Sequence, residues 1–264
     1  METLDEIRKK IDECDRSIIS KLRERFDAVE KVLSIKKAQG LPLFDRKRED
    51  EIIQNIHLMD GKYSDEIADI YRQIMKSSRK KQGKELLSRK IFMIGYMGSG
   101  KTTVGKELAQ LTGFDFIDTD KKIEEKTNMK ISTIFEKAGE NYFRDLETIL
   151  LKEIREEDHA IVSCGGGIIL RDENIRIMKE MGKVIFLKGS VKTLLDRIRY
   201  DKTRPLLTAM FYNDMEESEL NEYEIFEIEL NRRMAAYLKA ADIVINVDGK
   251  TPDEIAEEIL QSHL

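Results

Sequence analysis

The sequence predicts two domains of different class, an all-α domain of three helices followed by an α/β domain with a parallel sheet and a phosphate loop. Three observations predict it. Apolar residues recur at three- and four-residue steps through the amino-terminal third, with no glycine before Gly40 and no proline before Pro42. From Ile91 onward, short β-rich runs alternate with helical stretches. The first of these runs passes into Gly95-Tyr96-Met97-Gly98-Ser99-Gly100-Lys101-Thr102, which has the spacing G-x-x-x-x-G-K-S/T.

Composition narrows the class. A chain of 264 residues can bury two modest cores. Charged residues make up 37% of it, yet the net charge is only −5, so no strong field for nucleic acid is expected and anionic ligands need local cations. Cys14 and Cys164 lie far apart and there are three histidines, which argues against a disulfide framework or a zinc site. The acidic, amphipathic start and the lack of an apolar run of membrane-spanning length predict a soluble, untargeted protein of a reducing cytoplasm, with no membrane partner.

In the first domain, Leu4, Ile7, Ile11, Cys14, Ile18, Leu22, Val29 and Val32 predict one helix of about 35 residues, roughly 50 Å long. Gln39-Gly40-Leu41-Pro42 ends it. A second helix from about Arg46 carries Ile52, Ile53, Ile56 and Leu58, and a third runs from a cap at Ser64 to about Gln82. Three helices of unequal length cannot cover the first one's apolar stripe, so an intertwined helical homodimer is expected. Arg25 interrupts that stripe, and Lys36 falls on almost the same face at about 100° per residue. A half-buried pair of cations wants an anion between. The basic run from Arg79 to Arg89 is expected to break at Gly83, giving domains 1–84 and 88–264.

The second domain opens on the phosphate loop. Its glycines let backbone amides close around phosphate oxygens, and the following helix adds unpaired N–H groups and a positive dipole end. Gly95, Gly98, Ser99, Gly100, Lys101, Thr102 and Thr103 therefore form the expected ATP site, with Lys101 on the β/γ-phosphates and the Thr102 hydroxyl on Mg²⁺. The helix after Lys101 ends near Gly113, Phe114 to Asp118 reads as a strand, and Ile131 to Glu157 is mostly helical. Ala160 to Cys164, Val184 to Leu187 and Ile243 to Val247 complete the β-rich runs of a sheet with helices on both faces. Asp118 and Asp120, two apart at a strand end, can divide between Mg²⁺ and a hydroxyl acceptor, although aspartates there also form ordinary turns. Gly165-Gly166-Gly167 follows a strand, where backbone can approach a ligand closely or simply turn.

Arg8, Arg25, Lys36, Asp45-Arg46-Lys47-Arg48-Glu49, Ser78 and Gln82 together resemble the all-helical chorismate mutases over most of residues 4 to 82. The resemblance implies that Arg8, Arg25 and Arg48 clamp the two carboxylates of chorismate, that Lys36 and Gln82 donate to the ether oxygen, and that Glu49 holds the ring hydroxyl. Asp45 and Ser78 support them. Arg8 and Lys36 are about 42 Å apart along one straight helix, so Arg8 would serve the partner's site.

From Arg89 to Leu264 the chain resembles shikimate kinase. The phosphate loop carries that resemblance with Phe116-Ile117-Asp118-Thr119-Asp120, Phe135, Gly139-Glu140, Phe143-Arg144 to Glu147, the Gly165 triplet and Arg204-Pro205-Leu206-Leu207. It implies that Asp120 binds the shikimate hydroxyls and is the base, that Arg144 and Arg233 hold the carboxylate, and that Gly165, Gly166 and Gly167 line the ring. Asp118 joins Thr102 at Mg²⁺. Arg204 would come from a mobile lid to the transferring phosphoryl group, and Arg197 would pack on adenine. The segment from Thr208 to Glu229 is longer than usual, and Arg233-Met234-Ala235-Ala236-Tyr237 lacks the common proline, so Arg232 competes with Arg233. The expected protein is a bifunctional enzyme of aromatic amino acid synthesis. The alternative is a single-activity kinase of shikimate, or of a related small polyol or sugar acid, with a non-catalytic dimerisation or effector-binding arm.

Overall fold

A computed structural model describes residues 2–59, 61–87, 89–156, 159–199 and 221–262. The chain divides into two compact units, Met1–Leu86 and Leu87–Leu264.

The first unit is three helices. Helix α1 spans Leu4–Gln39, its start fixed by a capping box between Thr3 and Glu6 and its end by Gly40 in the left-handed region at φ 63°. Helices α2, Arg46–Met59, and α3, Ser64–Leu86, pack against each other, and α1 packs on α3. Two expectations are corrected. Ser64 is the first residue of α3 rather than its cap, and α3 runs through Gly83 to Leu86 instead of breaking there. A single glycine costs a helix only about 1 kcal/mol, less than the neighbouring turns return. Along α1 no residue is buried, and Leu4, Ile7, Ile11, Ile18, Ile19, Val32 and Ile35 are all exposed in the single chain.

The second unit is a five-stranded parallel sheet in the order β2-β3-β1-β4-β5. Its strands are β1 Lys90–Ile94, β2 Asp115–Asp118, β3 Ala160–Ser163, β4 Gly182–Lys188 and β5 Ile243–Asn246. The helices are α4 Lys101–Thr112, α5 Thr119–Thr127, α6 Ile131–Ile154, α7 Asp172–Met181, α8 Val191–Arg199, α9 Glu222–Ala240 and α10 Pro252–Gln261. Phe92, Ile94, Val162, Val184 and Phe186 face a core shared with α6, α7, α8 and α9. On the opposite pleat, a side chain at Gly105 of α4 would run into Met93 and Phe116, so α4 covers that face, with α10 packed beside it. From β1 the chain crosses to β2 on one side, and from β3 it crosses back over β1 to β4 on the other, which opens a crevice at the carboxyl ends of β1 and β3.

Helix α5, which pattern reading missed, is a nine-residue polar helix whose start is capped by the Asp118 side chain. Helix α6 is two helices joined at Gly139, which adopts φ 81° and ψ 170°. Only glycine enters that conformation readily, so the kink is written into the sequence at a single residue.

Candidate functional site

The phosphate loop sits between β1 and α4. Gly95, at φ 156°, lies where a side chain would meet the Leu187 carbonyl at 2.7 Å, and Gly98, at φ 79°, would meet the Leu194 carbonyl at 2.5 Å. Helix α4 begins after Gly100 with no side-chain cap, so its first N–H groups point into the loop. Lys101 Nζ donates to the carbonyls of Gly95 at 2.8 Å and Tyr96 at 3.1 Å, reaching back across the loop. Ser99 is fully buried within it, and Thr103 is exposed one turn-position beyond Thr102. Thr102 Oγ1 donates to Asp118 Oδ2 at 2.9 Å and lies 3.4 Å from Ser163 Oγ. Arg197 on α8 bonds the Val247 carbonyl at 3.0 Å, and one of its nitrogens stands 3.6 Å from a Cβ built on Gly100. It therefore borders the loop. Arg204 lies outside the described residues.

Beside the loop, the Gly165 triplet is the meeting point of three elements. A Cβ on Gly165 would lie 2.5 Å from Asp120 Oδ1 and 3.0 Å from Glu147 Oε1, and one on Gly167 would overlap the Arg144 guanidinium. The glycines are required here because side chains from α5 and α6 occupy the space. The Gly165 amide donates to Thr119 Oγ1 at 2.9 Å, and the Gly166 carbonyl accepts from the Tyr237 hydroxyl at 2.6 Å. Arg144 is held by Glu147 at 2.7 Å and Glu140 at 2.8 Å. Arg233 stands over the Tyr96 ring at 5.4 Å, whereas Arg232 is 71% exposed and pairs with Glu229 at 2.6 Å. One residue of helical phase separates the two arginines, and only Arg233 faces the loop and Tyr237.

Glu147 and Tyr237 stand within the motifs above, but sequence assigns neither of them a role. Their roles come from proximity to the glycine triplet, outside their own helices. Burial pushes the Glu147 carboxyl up to about 7, with Arg144 opposing and Asp120 adding to the shift. The folded chain thus keeps a proton that the unfolded chain releases near 4.5, and the stability associated with it is lost as pH rises from about 4.5 through 7. Melting curves of wild type and Glu147→Gln across that window are expected to diverge in the variant's favour as pH rises, by up to about 3 kcal/mol. A constant difference would show that the site does not hold that proton. Gly167→Ala, by displacing Arg144 from Glu147, is expected to raise KM for the acceptor substrate about tenfold or more while leaving KM for the nucleotide unchanged, as read by steady-state kinetics.

In the first unit, Arg25 Nη1 donates to Ser78 Oγ at 2.6 Å and Lys36 Nζ to the Leu43 carbonyl at 2.7 Å. Burial lowers the Lys36 pKa, with the charges of Asp45 and Glu49 opposing. Gln82 is buried one turn from Ser78, and its Oε1 has no hydrogen-bond partner among the described residues. Asp45 Oδ1 caps α2 through the Arg48 amide at 3.0 Å, and Arg79 bonds both carboxylate oxygens of Glu49. Contacts therefore tie Arg25 on α1 to Ser78 on α3, Lys36 on α1 to the loop before α2, and Glu49 on α2 to Arg79 on α3, with Gln82 buried one turn from Ser78. The Arg48 side chain instead pairs with Glu51 at the surface, and Arg8 is exposed, 3.7 Å from Asp5.

A family profile for shikimate kinase matches residues 97–263, and one for chorismate mutase type II matches residues 7–83. The chain belongs to the shikimate kinase family, fused to a type II chorismate mutase domain. Its relatives include the shikimate kinase of Thermodesulfovibrio yellowstonii, 41% identical over 175 residues, which span 66% of this chain and 95% of that one. The shikimate kinase of Persephonella marina is 42% identical over 172 residues, 65% of this chain and 97% of its own. Among solved structures, shikimate kinase from Acinetobacter baumannii in complex with shikimate aligns with a TM-score of 0.60 at 36% identity, over 69% of this chain and 95% of that one. That from Bacteroides thetaiotaomicron gives 0.56 at 32%, over 66% and 94%. The protein is a bifunctional chorismate mutase and shikimate kinase. No helix among the described residues is long and apolar enough to cross a membrane.

Proposed function

We propose that the kinase domain transfers the γ-phosphoryl group of ATP to a hydroxyl of shikimate in the crevice between the phosphate loop and the glycine triplet. The observation that carries this reading is the convergence of Arg144, Asp120 and the side-chain-free Gly165–Gly167 backbone beside Lys101. Arg144 and Arg233 supply cations for the carboxylate, and Asp120 accepts the hydroxyl proton. Lys101 and the first turn of α4 take the phosphate charge, with Arg204 as a further cation, and Arg197 bears on the base.

The oxygen set at the carboxyl ends of β1 and β2 suits a magnesium ion. Thr102 Oγ1 and Asp118 Oδ2 are hard donors 2.9 Å apart, and among the described residues no cluster of three or more His, Cys, Asp or Glu forms a protein-only cage. Bound with ATP, Mg²⁺ would neutralise phosphate charge.

The mutase domain rearranges chorismate to prephenate. That step is unimolecular and needs no nucleophile, so its residues only hold a compact conformer and stabilise developing charge. Arg25 and Arg48 would clamp carboxylates with Arg8 of a second chain, Lys36 and Gln82 would face the ether oxygen, and Glu49 the ring hydroxyl. Asp45 and Ser78 position the loop and Arg25. The exposed apolar residues along α1 support a homodimer through these helices. Two cysteines without a disulfide, one exposed and one buried, fit a cytoplasmic enzyme.

The test follows chorismate by its ultraviolet absorbance, and ADP release with shikimate and with a panel of polyols and sugar acids. Chorismate loss above the uncatalysed rate that vanishes in Arg8→Ala, together with phosphorylation confined to shikimate, is the expected result. No chorismate turnover would reduce the first unit to a binding or dimerisation arm.

A further inference from the structure

We infer that Arg79 is a positioning residue of the mutase site, holding the Glu49 carboxylate in place as an acceptor for the ring hydroxyl and keeping it away from Lys36. The inference rests on the proposed role of Glu49.

Arg79 on α3 and Glu49 on α2 are thirty residues apart, and one guanidinium nitrogen bonds both carboxylate oxygens. The pair is largely withdrawn from solvent, with side-chain exposures of 12% and 23%. The guanidinium also stands over the Phe44 ring at 5.5 Å, so it is anchored from the loop before α2 as well. Its chain neighbour Ser78 bonds Arg25, and the chain neighbour of Phe44, Leu43, receives Lys36. Arg79 thus sits between a residue that bonds Arg25 and the loop that bonds Lys36.

The chemistry gives this placement a purpose. The bonds from Arg79 fix the direction of the Glu49 carboxylate, so an acceptor is already in place when a hydroxyl arrives. A carboxylate offers about four lone-pair sites, so both oxygens can take Arg79 and still accept a hydroxyl. Glu49 also lies close enough to Lys36 for their charges to interact. Without Arg79, Glu49 would be free to turn toward Lys36, and an ion pair there would consume the ammonium group needed at the ether oxygen.

Chorismate kinetics of the full-length chain test this with Arg79→Gln, Arg79→Lys, Glu49→Gln and the double variant Arg79→Gln/Glu49→Gln, each checked for helicity and size. Arg79→Gln is expected to lower kcat/KM about tenfold or more, Arg79→Lys to recover much of it, and Arg79→Gln in the Glu49→Gln background to change it less than about twofold. Equal losses in both backgrounds, or a full rate in Arg79→Gln beside an impaired Glu49→Gln, would overturn the proposal. A full rate in Glu49→Gln would instead overturn the role of Glu49, and the inference with it. Should Arg79→Gln lose helicity, the same comparison is made with Arg79→Lys, where an equal loss in both backgrounds is again fatal.

Discussion

Lys101→Met lowers kcat for shikimate phosphorylation by about 10²–10³-fold and leaves chorismate turnover unchanged. In the structure Lys101 Nζ reaches to the carbonyls of Gly95 and Tyr96, two neutral acceptors weaker than a charged phosphate oxygen. Methionine keeps the length and the packing of the stem while deleting the charge. The loop itself is set by glycine conformations and by the Ser99 amide bonding the Tyr96 carbonyl at 3.2 Å, so the variant should fold. Phosphoryl transfer depends on stabilising charge at the moment it moves, and a missing fixed point charge is not replaced by solvent that must reorient. Measuring ADP release and chorismate absorbance on one preparation decides it. A loss of both activities would mean that the substitution acts through folding.

Lys36→Ala has the mirror effect, lowering kcat for chorismate by about 10²–10³-fold while shikimate phosphorylation continues. A rearrangement without nucleophile or proton transfer has few groups to lose, so each positioned charge carries a large share of the rate. Lys36 is half-buried and held by the Leu43 carbonyl, and burial lowers its pKa against the opposing charges of Asp45 and Glu49. The ammonium form is therefore lost on the alkaline side at a lower pH than for an exposed lysine, and mutase activity should fall with it as pH rises. Arg at this position would keep its charge at all those pH values but not the compact ammonium geometry, so Lys36→Arg should flatten the alkaline limb at a reduced rate. An unchanged kcat in Lys36→Ala would remove Lys36 from the site.

The class of each domain was legible in the sequence because it depends on local rules. A 3.6-residue period over the first forty residues can only be a long amphipathic helix, and the glycine–lysine–threonine spacing after an apolar strand states its own backbone conformation. The ends of α1 and α4 were equally readable, since Gly40 and Gly113 both adopt left-handed angles that other residues avoid. Helix α5 was not, because its nine residues are mostly polar and its stability comes from the Asp118 cap and from packing on α6.

What the sequence alone determined is thus the pair of architectures, the phosphate chemistry of the loop and the families whose residues it carries. Only the tertiary structure decided which of two adjacent arginines turns toward Tyr96, that Glu147 is buried against Arg144 beside the glycine triplet, and that Arg79 grips Glu49 across thirty residues. Periodicity and glycine conformation are properties of a few consecutive residues. The partner of a buried charge is set by which distant segments share its low-dielectric surroundings, and no local pattern records that.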